Sequence, residues 1–391
     1  MRKTGSPAPS ALLVAAAFGV ACLTPVAPAT AGSSASNAYC PAARTSADTY
    51  LPMTTRRLAP GVTVSLTSMP SSRGRVAVRI LRVDLSQPGI GITSLHQSLA
   101  SWHVLTSLAS SRQVVAATNA MYFSLTYAAP FYPFISNGRP MVLSATPQKV
   151  VGVATNHRAQ DGNAWLDGSV SSGAAIMQLG AINLSPRPGL SVFSSDWGAR
   201  LVPLTPDSRT RSVTGDRISS AVGRSRSVPP GGYLLVARGD TATRWLRALG
   251  RGAPVTVTAH VGTDAPVPFA EAYGAGMQTV AHADQPSTHL SCTTTETLAA
   301  RTSIAWTRNR STLMLVTAES PHGPDNYGLD ENQMSALLVH LRAAGGYALD
   351  GGSSTEMVAR VPGRRSLVLE TAPHGTSQRP MPVGIGVYYQ R

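Results

Sequence analysis

The clearest hydrophobic pattern lies toward the C-terminus, where Met334, Leu337, Leu338 and Leu341 recur at helical spacing and form one apolar stripe. Asp330, with Gln333 three residues on, is placed to cap the start of this helix; Arg342 falls in its last turn and Gly345-Gly346 end it. A short apolar run ending at Leu349 reads as a buried strand, and it delivers Asp350, Gly351, Gly352, Ser353, Ser354 and Thr355. Upstream, Arg301 to Trp306 and Leu313 to Val316 read as a hairpin whose second strand ends at Glu319. The helix between Glu319 and Asp350 then predicts a β-α-β unit, with parallel strands and both acids at one sheet edge.

Elsewhere the alternation is that of strands. Gly61 to Met69 and Arg75 to Ser86 predict a hairpin about Arg73-Gly74, Ile90 to Leu95 a further strand, and Leu99 to Ser110 a helix. Val114 to Thr118 is a short buried strand that delivers Asn119. Residues 153–270 read as many short strands with Gly, Pro and Asp turns, interrupted by a helix over Thr241 to Leu249. The pattern predicts an α+β fold: a mixed β-sheet core with a β-α-β unit near the C-terminus and few helices, forming one domain over 61–391 with a β-rich middle part around 153–270.

The first residues change the picture of where the chain works. Arg2 and Lys3 precede an apolar stretch, Ala11 to Leu23, that is short for a bilayer span, and Ala29-Thr30-Ala31 is a small-x-small cleavage site. Residues 1–31 therefore predict a signal peptide and a secreted, extracellular protein, with 32–60 as an extended N-terminal segment. Lipid anchoring at Cys22 is a lesser alternative, because Gly19 poorly matches the apolar position that such a signal needs. Beyond the signal, Cys40 and Cys292 form one disulfide or stand as two free thiols. The net charge of +14, less Arg2 and Lys3, leaves +12, nearly all arginine because Lys3 and Lys149 are the chain's lysines. That balance suits a polyanionic neighbourhood such as phosphate-bearing cell-wall polymers, unless the charge is merely dispersed. Export and the lack of a basic run interleaved with aromatics exclude nucleic acid as a partner.

Candidate chemistry centres on Asp350. Its carboxylate suits proton transfer or the holding of a sugar hydroxyl or cation; Gly351 and Gly352 permit close backbone approach, and Ser353, Ser354 and Thr355 add hydroxyls. Read alone, the segment is equally a glycine turn. Asn119 is a ligand for a sugar hydroxyl or a turn residue. The aromatics Phe131, Tyr132 and Phe134 beside Pro133 either stack on sugar faces or brace a core. Asp325, Asn326, Asp330 and Glu331 offer oxygens to a divalent cation such as calcium, without EF-hand spacing, so no cofactor is assigned. A Gly-x-Ser-x-Gly elbow is absent, which disfavours Ser353 as an esterase nucleophile, and His322 is the nearest histidine.

Taken in order, the segments resemble the phosphodiester glycosidase family. Ala117 to Phe123 is similar to its asparagine motif, Gly274 to Val280 to its glycine turn and Ala300 to Ala305 to its Arg-Thr strand. Thr317 to Pro321 resembles its Asp-Gly-Arg strand end, Tyr347 to Met357 its Leu-Asp-Gly-Gly loop, and Arg379 to Val387 its closing strand. The resemblance implies hydrolysis of a sugar-1-phosphodiester, with Asp350 and Glu319 as the catalytic carboxylates and Arg301 and Arg379 on the phosphate. It implies Asn119, Thr302, Gly274, Gly276, Gly351, Gly352, Ser353 and Ser354 as substrate-binding positions. Three departures stand out: Glu319-Ser320-Pro321 replaces Asp-Gly-Arg, Ala275 and Met277 alter the glycine turn, and Ala120 follows Asn119. The rival reading is a non-catalytic binder of anionic wall glycopolymers on the same fold.

Overall fold

Alternating strands with one apolar face must bury that face, and here three sheets bury theirs against one another. The computed structural model describes residues 53–71, 74–110, 113–184, 187–282, 285–286, 298–319, 328–361, 366–371 and 377–390. The expected signal segment, Cys22, Cys40, Cys292, His322, Asp325 and Asn326 lie outside these residues.

The first sheet has eight strands, in the order Thr54–Ala59, Val62–Ser71, Gly74–Asp84, Thr312–Ala318, Arg301–Trp306, Gly345–Ala348, Gln278–His282 and Gln285–Pro286. Every neighbour in it is antiparallel. A five-stranded antiparallel sheet runs Leu367–Leu369, Met357–Arg360, Val114–Asn119, Gly384–Tyr389, Ile90–Leu95. An eleven-stranded sheet takes up the middle of the chain and contains the parallel pairing of Ala175–Ile182 with Gly189–Ser194, the one such pairing among the described strands. The predicted hairpin at Gly61 to Ser86 forms with Ser71 opposite Gly74, and the last residues of the expected N-terminal segment supply the edge strand Thr54–Ala59.

A single core lies between the three sheets. Val64, Leu81 and Leu315 from the first sheet, Ala116 and Ile385 from the second, and Phe134, Val151 and Val236 from the third all belong to it and are buried. Each outer face is then covered by one helix. Helix α1 (Leu105–Ser110) packs Leu105 and Leu108 on the five-stranded sheet, and α2 (Asp240–Ala248) packs Ala242 and Leu246 on the eleven-stranded one. Helix α3 (Glu331–His340) lays Met334, Leu337 and Leu338 on the eight-stranded sheet.

Helix α3 forms where its spacing predicts, and Asp330 and Gln333 make the reciprocal capping box: the Asp330 side chain accepts the Gln333 N–H at 2.7 Å, and the Gln333 side chain accepts the Asp330 N–H at 3.0 Å. The expected helix over Leu99 to Ser110 is helical over Leu105–Ser110. Its first residues bond elsewhere: the Leu99 and Ala100 N–H groups go to the Asp196 and Trp197 carbonyls, and His103 bridges Met381. The strands around α3 also differ from expectation. Thr312–Ala318 and Gly345–Ala348 run in the same direction but do not pair, because Arg301–Trp306 lies between them, antiparallel to both.

Candidate functional site

Asp350 follows the Gly345–Ala348 strand, where the eight-stranded and five-stranded sheets meet. Its N–H donates to the Ala120 carbonyl at 3.1 Å, and its own carbonyl accepts the Asn119 amide at 2.6 Å. Asn119 ends the Val114–Asn119 strand and is buried; its Oδ1 accepts from the Thr302 hydroxyl at 2.8 Å and from the Glu356 N–H at 3.1 Å. One amide thus ties three separate segments together, and Asn119 and Thr302 hold the Asp350 loop rather than lining its open side.

The two loop glycines answer different needs. A Cβ on Gly351 would come 2.9 Å from the Ala300 carbonyl oxygen, so close packing requires glycine there. Gly352 has φ of +59°, the left-handed region that L side chains avoid. The Gly352 N–H donates to the Ala300 carbonyl at 2.7 Å, and the Ser354 and Thr355 N–H groups close the short turn inward onto Gly351 and Gly352. These amides are engaged within the protein, and the loop's outward chemistry falls to side chains.

Those side chains converge. Burial pushes the Asp350 carboxyl above the ordinary aspartate range, opposed by the Ser354 hydroxyl, the Arg379 guanidinium and the Gly351 N–H. Arg379 donates to the Ser353 hydroxyl and lies over the Phe123 ring at 5.5 Å. On the other side stands Tyr122, whose hydroxyl is pushed up to about 12 by burial and by the charges of Asp350 and Glu331, against Arg301. Arg301 thus lies near Tyr122, but it is already engaged: its Nε donates to the Leu329 carbonyl at 3.0 Å and one terminal nitrogen pairs with Glu331 at 2.5 Å.

Glu319 is placed differently. It is buried and ion-paired with Arg79 on the neighbouring Gly74–Asp84 strand, and its N–H donates to the Ala77 carbonyl. Asp330 is committed to the cap of α3 and Glu331 to Arg301, and no cluster of three potential metal-ligating His, Cys, Asp or Glu residues occurs among the described residues.

Sequence reasoning missed Glu356. It is completely buried, its Oε1 accepts the Arg379 N–H at 2.7 Å, and its Oε2 has no hydrogen-bond partner. Burial raises its carboxyl to about 7, with the Arg379 N–H pulling the other way. An acid directly after Ser353-Ser354-Thr355, in front of an apolar strand, was the available signal.

The glycine turn has an unexpected neighbour. A Cβ on Gly274 would come 2.3 Å from the Tyr132 Cβ, and one on Gly276 would come 3.2 Å from the Tyr122 ring. Gly274 is thus a seat for Tyr132, whereas at Gly276 the nearest group is the Ala348 carbonyl oxygen, 2.8 Å from where a Cβ would stand.

No protein of curated function matches this chain in sequence. Among solved structures it is similar to a hypothetical protein from Synechocystis, with a TM-score of 0.70 and 19% identity over 87% of this chain. The match spans 64% of that protein, so this chain corresponds to under two thirds of its length. A protein of Burkholderia pseudomallei K96243 whose name calls it exported has a TM-score of 0.68 and 12% identity, covering 86% of this chain and 96% of that one. Both share the fold. The zebrafish N-acetylglucosamine-1-phosphodiester alpha-N-acetylglucosaminidase catalytic domain aligns with a TM-score of 0.43 and 11% identity, over 88% of this chain and 89% of that one. The family model for phosphodiester glycosidases matches residues 210–388, the part that carries the glycine turn, Arg301, Asp350, Glu356 and Arg379.

Proposed function

We propose that this chain is an exported hydrolase that cleaves a sugar-1-phosphodiester, releasing the sugar from the phosphate of a glycan or cell-wall polymer. The observation that carries the reading is the half-buried Asp350 carboxyl set beside Arg379 and Ser354 of the segment that matches the family, and beside Tyr122 from outside it. In this reaction water supplies the oxygen that ends on the sugar's anomeric carbon, the bond from that carbon to the phosphate oxygen breaks, and the phosphate leaves as a monoester.

Asp350 activates that water or attacks the anomeric carbon itself, in either case as the carboxylate. Arg379, oriented by Ser353 and Phe123, neutralises the charge that develops on the phosphate as it leaves. A phosphate is a good leaving group, so little proton donation is needed. Asn119 and Thr302 keep the Asp350 loop in register. Glu319 takes a supporting part through its ion pair with Arg79, and Arg301 contributes through its pair with Glu331.

That last arrangement also favours a second reading. With Arg301 held by Glu331 and Glu319 held by Arg79, the site keeps fewer uncommitted charges than a hydrolase needs, which would suit a non-catalytic binder of anionic glycopolymers. Turnover separates the two. Purified protein incubated with a panel of sugar-1-phosphodiesters should release free sugar, and Asp350→Asn should abolish release with the circular dichroism spectrum unchanged. Retained affinity for wall polymer with no release from any diester would establish the binder.

A further inference from the structure

Three aromatic side chains lead away from Asp350. Tyr122 is the inner rung, its hydroxyl feeling the Asp350 charge. Its ring centroid lies 5.6 Å from that of Tyr132, and Tyr132 lies 5.1 Å from Phe131, with tilts of 46° and 40°. Tyr122 and Tyr132 are half-buried, whereas Phe131 is 46% exposed, so the series ends at the surface.

The rungs are fixed. Gly274 leaves room for Tyr132, since a Cβ there would meet the Tyr132 Cβ at 2.3 Å and the Pro133 Cδ at 3.0 Å. A Cβ on Gly276 would meet the Ala348 carbonyl oxygen first, at 2.8 Å, and would lie in tight contact with the Tyr122 ring and hydroxyl, at 3.2 and 3.3 Å. The Gly274 N–H donates to the Pro133 carbonyl at 2.7 Å, and Tyr273 pairs with Phe134, which locks the backbone carrying Phe131 and Tyr132 onto the sheet. A platform held this way loses little freedom when a ligand lands on it.

We propose that Tyr122, Tyr132 and Phe131 form a carbohydrate subsite that stacks the sugar side of the substrate: the pyranose being released against Tyr122 and Tyr132, and a second, attached sugar against Phe131. The proposal rests on the hydrolase reading, because it assigns the phosphate to Arg379 and Ser353 and leaves the aromatic side for the sugar. The chemistry is complementary: the negative face of an aromatic ring meets the C–H face of a pyranose, and the tyrosine hydroxyls remain for its oxygens. Each ring-to-ring step is about the width of a sugar ring, so the series is long enough for more than a monosaccharide.

The test measures binding apart from turnover. Asp350→Asn protein, alone and combined with Phe131→Ala, is titrated with methyl phosphodiesters of monosaccharides and of the matching disaccharides, in gluco, galacto and manno configurations, using saturation-transfer NMR. Phe131 is exposed, and circular dichroism verifies that its variant folds. The expected result is that one disaccharide binds more tightly than its monosaccharide and that Phe131→Ala removes about five- to tenfold of that advantage. Equal binding of the two sugars, no binding of either, or an advantage that survives Phe131→Ala would overturn the subsite. Binding that behaves as expected while wild-type protein cleaves none of the compounds would leave the subsite standing and reject the hydrolase.

Discussion

Two acids beside the family loop are held above their ordinary ranges by burial, and they carry different tasks. Asp350 faces Arg379 and Tyr122, whereas Glu356 sits behind, with one oxygen on the Arg379 N–H. Because the folded Glu356 carboxyl is raised from 4.5 to about 7, the native state binds its proton more tightly than the unfolded chain does. Its stabilising contribution is therefore complete below its unfolded value and is lost as pH rises through about 7, with a total on the order of 3 kcal/mol. Glu356→Gln, which keeps an oxygen for the Arg379 N–H but cannot ionise, should flatten the fall in stability between about pH 5 and about pH 8 in urea titrations. An unchanged slope would mean that Glu356 ionises freely. Glu319 is another buried acid, ion-paired with Arg79. Removing it alone by Glu319→Gln should cost about 3–5 kcal/mol by leaving Arg79 without its charge, while replacing both by Leu and Met should cost clearly less; thermal unfolding of the three proteins checks this.

At the scale of elements, what could be read in advance was whatever depends on local spacing. Helix α3 announced itself through Met334, Leu337, Leu338 and its Asp330–Gln333 cap, and the Gly61 to Ser86 hairpin through alternation. Leu338→Ala should therefore cost about 2–5 kcal/mol, read as a lowered denaturation midpoint, because its side chain fills the core under α3. What could not be read was pairing between distant segments. No local pattern places Arg301–Trp306 between the strands that flank α3, sends the Leu99 and Ala100 N–H groups to residues 196 and 197, or brings Tyr132 against Gly274. The candidate site divides the same way: the Asp350 loop and Arg379 were visible as motifs, whereas the ion pairs that occupy Arg301 and Glu319, and the role of Glu356, depend on those distant pairings. Gly274→Ala tests the last of the placements named above. The added methyl would overlap Tyr132, so about 1–3 kcal/mol of stability should be lost and the near-ultraviolet tyrosine signal should change. A silent substitution would show that the aromatic has room to move.

At the scale of the whole molecule, three sheets among the described residues share one core, each backed by a helix, and the sheets position the side chains of the site. The eight-stranded sheet supplies Thr302, Arg301 and the strand that leads into Asp350; the five-stranded sheet supplies Asn119 and the strand beginning at Met357, next to Glu356. Their meeting line is where Asp350, Arg379 and Tyr122 lie, the groups on which the proposed hydrolase reading rests. The most direct measurement is release of free sugar from a sugar-1-phosphodiester by the wild-type protein and by Asp350→Asn. Release by the first and a loss of at least about a thousandfold in the second, with unfolding midpoints alike, is the predicted result. Equal release by both proteins, or none by the wild type from any diester, would contradict it.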